Sequence, residues 1–249
     1  MTLPISAVSV GSVVRWFGDP AHWQGRAGVP HRLGEHLGIC AVSLAVAVVV
    51  AVQPGVVLGH ARRGGVIAQN VANVGRAVPS LAILILAVPF LGIGSRPAEL
   101  ALIALAVPPL LTNTYVGMAG VDDDVREAAR GVGMTAWQSA TGIELPLALP
   151  LVLAGLRTAA FQVVATATLA AVVASGGLGR YIVDGLSTRD DTQVVCGSLL
   201  VLALALGAEV LIAGLQHVLV AAPLRDPHRS TTDEQLEESV NAIRLDPAA

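Results

Sequence analysis

The chain has 249 residues, of which 54% are hydrophobic and 13% charged, with a mean hydropathy of +0.70. That is too apolar for a soluble domain of this length, and a bilayer core about 30 Å thick takes roughly 20 apolar residues per helix, so the apolar runs read as membrane spans. A net charge of -3 gives no basic footprint for nucleic acid, and all 15 basic residues are Arg, so no Lys exists to complete a phosphate loop of the G-x-x-x-x-G-K-[ST] type.

Residues 1–34 mix Trp16, Phe17 and Trp23 with Arg15, Arg26 and Arg32, a composition suited to the membrane surface, and an interfacial or loop segment is expected there. This start lacks the charged opening and small-residue cleavage site of a secretory signal and is expected to stay on the mature protein. Five spans are expected, at 37–58, 66–91, 98–118, 147–174 and 193–222, within a transmembrane domain of residues 35–222. The first closes on the charged turn Gly59-His60-Ala61-Arg62-Arg63-Gly64-Gly65. Residues 223–249 form an acidic tail in which Thr231 and Glu234 have the spacing of a capping box. Cys40 and Cys196 lie in apolar runs without metal spacing and read as small buried hydrophobes. With the N-terminus outside, the inner loops hold Arg62, Arg63, Arg126 and Arg130 against Arg96, Arg180 and Arg189 in the outer ones. The three Arg of the N-terminal segment offset that small excess, so charge alone leaves the orientation open.

Between the third and fourth spans, the polar stretch VDDDVREAARGVGMTAWQSATGIELPLALP is too long for a tight turn and reads as a helix, with Asp122, Asp123 and Asp124 where a helix N-terminus favours negative charge. Glu127-Ala128-Ala129 is followed after three residues by Gly133, after nine more by Ile143, and then by Leu145-Pro146. Two Ala favour helix and let another backbone approach, Gly133 permits a change of direction, and Pro146 can open the next helix. This pattern, EAA-x3-G-x9-I-x-LP, resembles the EAA loop of permeases of ATP-binding-cassette (ABC) importers at every defined position. The similarity extends through Pro79-Ser80-Leu81-Ala82, Leu91-Gly92-Ile93-Gly94, Asn113-Thr114-Tyr115, Gly155-Leu156-Arg157-Thr158-Ala159, Thr166-Ala167-Thr168-Leu169-Ala170 and Gly176-Gly177-Leu178-Gly179. Over roughly residues 35–220 it is a similarity to permeases for osmoprotectants such as glycine betaine, carnitine and choline.

That resemblance implies an all-α integral membrane fold of five transmembrane helices, like a type I ABC importer permease, with the N-terminus outside and a cytoplasmic coupling helix. It implies a multi-pass subunit of the prokaryotic cell membrane, surrounded by lipid, that forms half of a translocation path and has no catalytic residue, cofactor or metal of its own. ATP and Mg would belong to two ATPase subunits, docked on Glu127, Ala128, Ala129, Gly133, Ile143, Leu145 and Pro146. A second permease subunit, a copy or a paralogue, and an extracellular solute-binding protein complete the implied set. Arg76 departs from the family pattern, which has a neutral polar residue there.

Arg76, Arg157 and Glu209 stand inside apolar spans, where each would cost roughly 2.5–3.5 kcal/mol facing lipid at the helix centre. Arg157 and Glu209 read as a structural pair, as groups on the solute path, or as snorkelling side chains. Pro79, Ser80, Asn113, Thr114 and Tyr115 are candidates for the path, as are Thr166 and Thr168, which can equally bond helix to helix. His36 and His217, at span ends, read as membrane-interface residues. With 3% aromatic residues, the chain offers few ring faces for a quaternary ammonium ion, so tight solute selection is expected on the binding protein. No G-x-S-x-G or H-E-x-x-H motif supports a hydrolase or zinc enzyme. Competing readings are an ABC permease for another small solute such as an amino acid, and an ion-coupled secondary transporter. The latter would show inverted repeats and broken midplane helices, and neither is visible in the sequence. A non-transporting scaffold would leave the EAA pattern without a purpose.

Overall fold

The computed structural model describes residues 8–77 and 79–220, and every regular element among them is helical. Helix α1 (Val10–Gly18) and a 3-10 turn (Pro20–Trp23) precede α2 (Val29–His60), α3 (Gly65–Ala77), α4 (Ser80–Leu91) and α5 (Ser95–Ala119). Then come α6 (Asp123–Gly131), α7 (Ala136–Ser139), α8 (Leu145–Thr166), α9 (Gly179–Thr188) and α10 (Asp191–Val220). Four runs are long and apolar enough to cross a bilayer alone: Val29–His60, Ser95–Ala119, Ala136–Val173 and Asp191–Gly214. Helices α3 and α4 together make the fifth.

That fifth span is broken. Gly65–Gly75 and Ser80–Leu91 meet at 84°, which corrects the expectation of a straight span over 66–91 and of a chain without broken helices. Pro79 is the cause that can be named: it has no N–H for a helix ladder, and it sits extended (φ -65, ψ 122) as the N-cap of α4. Val78 and the side chain of Arg76 lie outside the described residues, as do the side chain of His217 and the whole tail with Thr231 and Glu234.

Among its described residues, 8–34, the segment expected to be an interfacial or loop stretch is mostly helical. Ser9 caps α1, and the Asp19 carboxylate accepts from the Ala21 N–H at 2.9 Å to start the 3-10 turn. Trp16 is 6% exposed and clusters with Leu178 and Tyr181, and the Tyr181 hydroxyl donates to the Ala27 carbonyl at 2.6 Å. The first span starts at Val29, so residues 29–34 are already its opening turns.

Without a strong hydrophobic drive between helices in lipid, close backbone approach supplies the packing. Gly55 and Gly59, four apart on α2, face α5. A Cβ on Gly55 would lie 2.7 Å from Thr114 Cβ, and one on Gly59 would run into Met118 and lie 2.9 Å from the Tyr115 carbonyl. On α8, a Cβ at Gly155 would lie 2.8 Å from Asn113 Cβ. The shared core of α2, α5 and α8 is correspondingly small-residued, with Ala47, Ala51, Ala106 and Ala159 all fully buried. Cys40 and Cys196 are free and buried. His36, expected at an interface, is fully buried, with Nε2 3.0 Å from the Val164 carbonyl.

The bundle has two distinct ends. At one, Glu35 near the start of α2 accepts from the Gly177 N–H at 2.9 Å. At the other, Arg62 just after α2 reaches Asp123 of α6 at 2.7 Å. The turn containing Arg62 and the EAA segment therefore share one end, and the Gly176-Gly177 turn lies at the opposite one.

Candidate functional site: the loop between α5 and α8

The stretch expected to form one helix folds as two. Asp122 caps α6 by accepting from the Asp124 N–H at 3.0 Å, with Asp123 and Asp124 in the first turn and Arg130 in the last, which suits the helix dipole. Gly133 then turns the chain at φ +81, a left-handed conformation that costs an L side chain energy. Its N–H donates to the Arg130 carbonyl at 3.0 Å, and the Met134 N–H donates to Ala129 at 3.1 Å, closing α6. Thr135 and Gln138 form a capping box that starts α7, a break legible in Thr135-Ala136-Trp137-Gln138.

Pro146 falls in the first turn of α8, as expected, but α8 does not start afresh. The chain runs helically from Ala136 through a π-helical stretch, Ala140–Glu144, into α8. Leu145 donates its N–H back five residues to Ala140. Widening the turn just before Pro146, which can donate nothing, relieves the clash that proline imposes on a regular ladder.

The outer face of this loop is free. Glu127, Ala128, Gly133 and Pro146 are exposed, Ile143 and Leu145 are half-buried, and Ala129 turns inward at 2% exposure. Val132 and Trp137 extend that face at 79% and 68% exposed; neither stands out in the sequence.

The inner face holds a charge cluster that the sequence reading missed. Glu144, the undefined position of the I-x-LP pattern, is wholly buried. Its Oε1 accepts from the Ser139 hydroxyl at 2.9 Å and lies 2.8 Å from His60 Nδ1. Its Oε2 is 3.0 Å from Arg126 Nη2, an ion pair rather than an aligned hydrogen bond. Arg126, 5% exposed, also donates to the backbone carbonyls of His60, at 3.0 Å, and Met118. One carboxylate and one guanidinium thus tie the ends of α2 and α5 to α6, α7 and the π stretch, beside a cavity of about 280 Å³. Outside it, Arg62 donates to the Asp123 carboxylate and to the Val121 carbonyl, each at 2.7 Å, and that hydrogen bond holds the Asp123 carboxyl below its usual range.

Within the bundle, a cavity of about 400 Å³ brings Ser80 and Asn113 together with Thr112, Thr158 and Gln162, which sequence reasoning had not selected. The other candidates for the path lie elsewhere. Pro79 is exposed at the bend, Thr114 is fully buried against Gly55, and the Tyr115 hydroxyl lies over Gly65. Thr166 is half-buried at the end of α8, and Thr168 donates to the Ala165 carbonyl at 3.0 Å within its own helical run. Arg157 Nε donates to Glu209 Oε1 at 2.6 Å, joining α8 to α10.

Residues 43–224 match the family described as binding-protein-dependent transport system inner membrane component. The chain is 37% identical over 183 residues to the glycine betaine/carnitine/choline transport system permease protein OpuCB of Bacillus subtilis, covering 74% of this chain and 84% of that one. It is 31% identical over 196 residues to the osmoprotectant import permease protein OsmW of Salmonella typhimurium, covering 77% and 91%. Among solved structures it resembles the MetNI methionine ABC transporter in inward-facing conformations, with a TM-score of 0.67 at 21% identity over 81% of this chain and 99% of that one, a likeness of fold. With five apolar spans around a small-residue core and this match over most of its length, the chain belongs to the inner membrane components of binding-protein-dependent transport systems and is a membrane-embedded transport subunit.

Proposed function

We propose that this subunit forms half of an ATP-driven import path for a small quaternary ammonium osmoprotectant, of the glycine betaine, choline and carnitine class. One relative named for glycine betaine, carnitine and choline and another named for osmoprotectant import support the solute class. Two ATPase subunits, which carry ATP and Mg, dock on the loop between α5 and α8. A second permease subunit completes the path, and an extracellular binding protein delivers the solute.

The observation that carries the ATPase partnership is the two-sided loop. Its outer face is open, with Glu127 able to take a charge-assisted bond from a partner and Val132 and Trp137 offering apolar area. Its inner face is held to the spans by Arg126 and Glu144. A load applied to α6 and α7 is thereby passed to α2, α5 and α8. Substituting Gly133→Val or Glu127→Arg leaves the spans inserted, because neither residue is in the lipid phase. Uptake of glycine betaine and copurified ATPase are both expected to fall at least fivefold at matched permease abundance. Wild-type values of both quantities for both variants would remove this reading.

A further inference from the structure

We infer that the Arg157–Glu209 pair is an exchangeable counter-ion site for a small zwitterion on the transport path, Arg157 taking the carboxylate end and Glu209 the cationic end. The inference rests on the transport reading above and adds a place within the chain where the solute is held. Neither side chain is sealed: they are 42% and 29% exposed, although they are bonded to each other. A groove of about 550 Å³ opens on both, and its remaining walls are Ala154, Thr158, Phe161 and Gln162.

Thr158 and Gln162 also line the polar cavity that holds Ser80 and Asn113. The pair, between α8 and α10, therefore adjoins that cavity across α8, and the two openings form one seam along the helix. Charged side chains that face lipid are strongly disfavoured, and such a seam is where partly open ones are tolerated. The site carries no net charge. A zwitterion entering between the two side chains replaces one ion pair by two and preserves neutrality, whereas a simple cation or anion leaves one protein charge without a partner in a low dielectric. Phe161, 43% exposed, adds an aromatic ring to the same groove, a surface suited to a bulky ammonium group.

The test uses cells carrying the complete transporter. Arg157→Gln combined with Glu209→Gln removes both charges and orphans neither. Folded yield is expected to stay within twofold of wild type while glycine betaine uptake falls at least tenfold. A double variant with wild-type yield and uptake within twofold of wild type overturns the proposal. Arg157→Gln alone leaves a lone anionic site, so the ratio of choline to glycine betaine uptake is expected to rise at least tenfold. That ratio does not depend on how much permease folds, and a change under threefold overturns the assignment. Phe161→Ala keeps the ion pair and is expected to lower glycine betaine uptake at least threefold at equal abundance; an unchanged rate overturns the role given to the ring. A wild-type transporter that imports no zwitterion sinks the transport reading and this site together, whereas wild-type import with indifferent variants sinks the site alone.

Discussion

Glu144 has no access to solvent, so its carboxylate depends entirely on Arg126, His60 and Ser139 for partners. Arg126, also buried, depends on Glu144 in return for charge balance. Removing one member of such a pair is worse than removing both, because the survivor is an uncompensated ion; losses of about 3–5 kcal/mol are usual. Glu144→Ala is expected to fall in that range and to lower the thermal melting point of the detergent-solubilised protein markedly. Glu144→Gln keeps the shape and a hydrogen-bonding side chain and should lose less. Thermal unfolding followed by fluorescence-detected size exclusion separates the three proteins. An alanine variant that melts with the wild type would show that the cluster does not hold the loop. His60 takes part from the far end of α2, 84 positions away in sequence, so the same measurement reports on a contact between the first span and the loop.

Helix packing here is decided by positions that have no side chain. Gly59 lies against Met118 and the Tyr115 carbonyl, so even a methyl group must displace a neighbouring helix, whereas Gly207 on α10 has nothing near it. Gly59→Val is expected to destabilise the bundle by about 1–3 kcal/mol through overpacking. Gly207→Ala should be neutral or slightly stabilising, because alanine is the better helix former. Matched melting curves for the two variants would contradict the packing account. The five spans and the loop were legible in the sequence because hydropathy and the EAA spacing are local signals. The Gly133 turn was half legible: the residue reads as permitting a change of direction and adopts φ +81, but the stretch as a whole reads as one helix. The bend at Pro79 was masked because the apolar run continues on both sides of it, and composition does not report direction. Glu144 was missed because its surroundings come from residues far apart in the chain, and a glutamate between two apolar neighbours in a polar loop looks solvated. Of the residues selected for the path, Ser80 and Asn113 meet in one cavity while Thr114 turns into the helix interface, a difference of helix face that residue type does not reveal.

At the scale of the whole molecule, the contacts at the two ends of the bundle fix which loops lie together but not which side of the membrane they face. If the loop docks the proposed ATPase, which would draw on cytoplasmic ATP, the end with α6 and α7 is the cytoplasmic one. The end with Glu35 and Gly177 is then outside, where a solute-binding protein can reach it. Counting spans agrees: from an external α2 start, five crossings bring the end of α10 to the cytoplasm, and the loop between α5 and α8 falls after the third. Thiol labelling suits this test because the two native cysteines are buried, at 3% and 0% exposed, and give little background. Val132→Cys, at a site 79% exposed in the loop between α5 and α8, should resist a membrane-impermeant maleimide in intact cells and react after permeabilisation. Leu186→Cys, at a site 65% exposed on α9 and close to the Gly177 end, should react in both conditions. Neither substitution touches the buried charge cluster or the glycine contacts, so both proteins should insert normally. Labelling of Val132→Cys from outside, with Leu186→Cys protected, would reverse the molecule in the membrane and leave the loop where no ATPase could meet it.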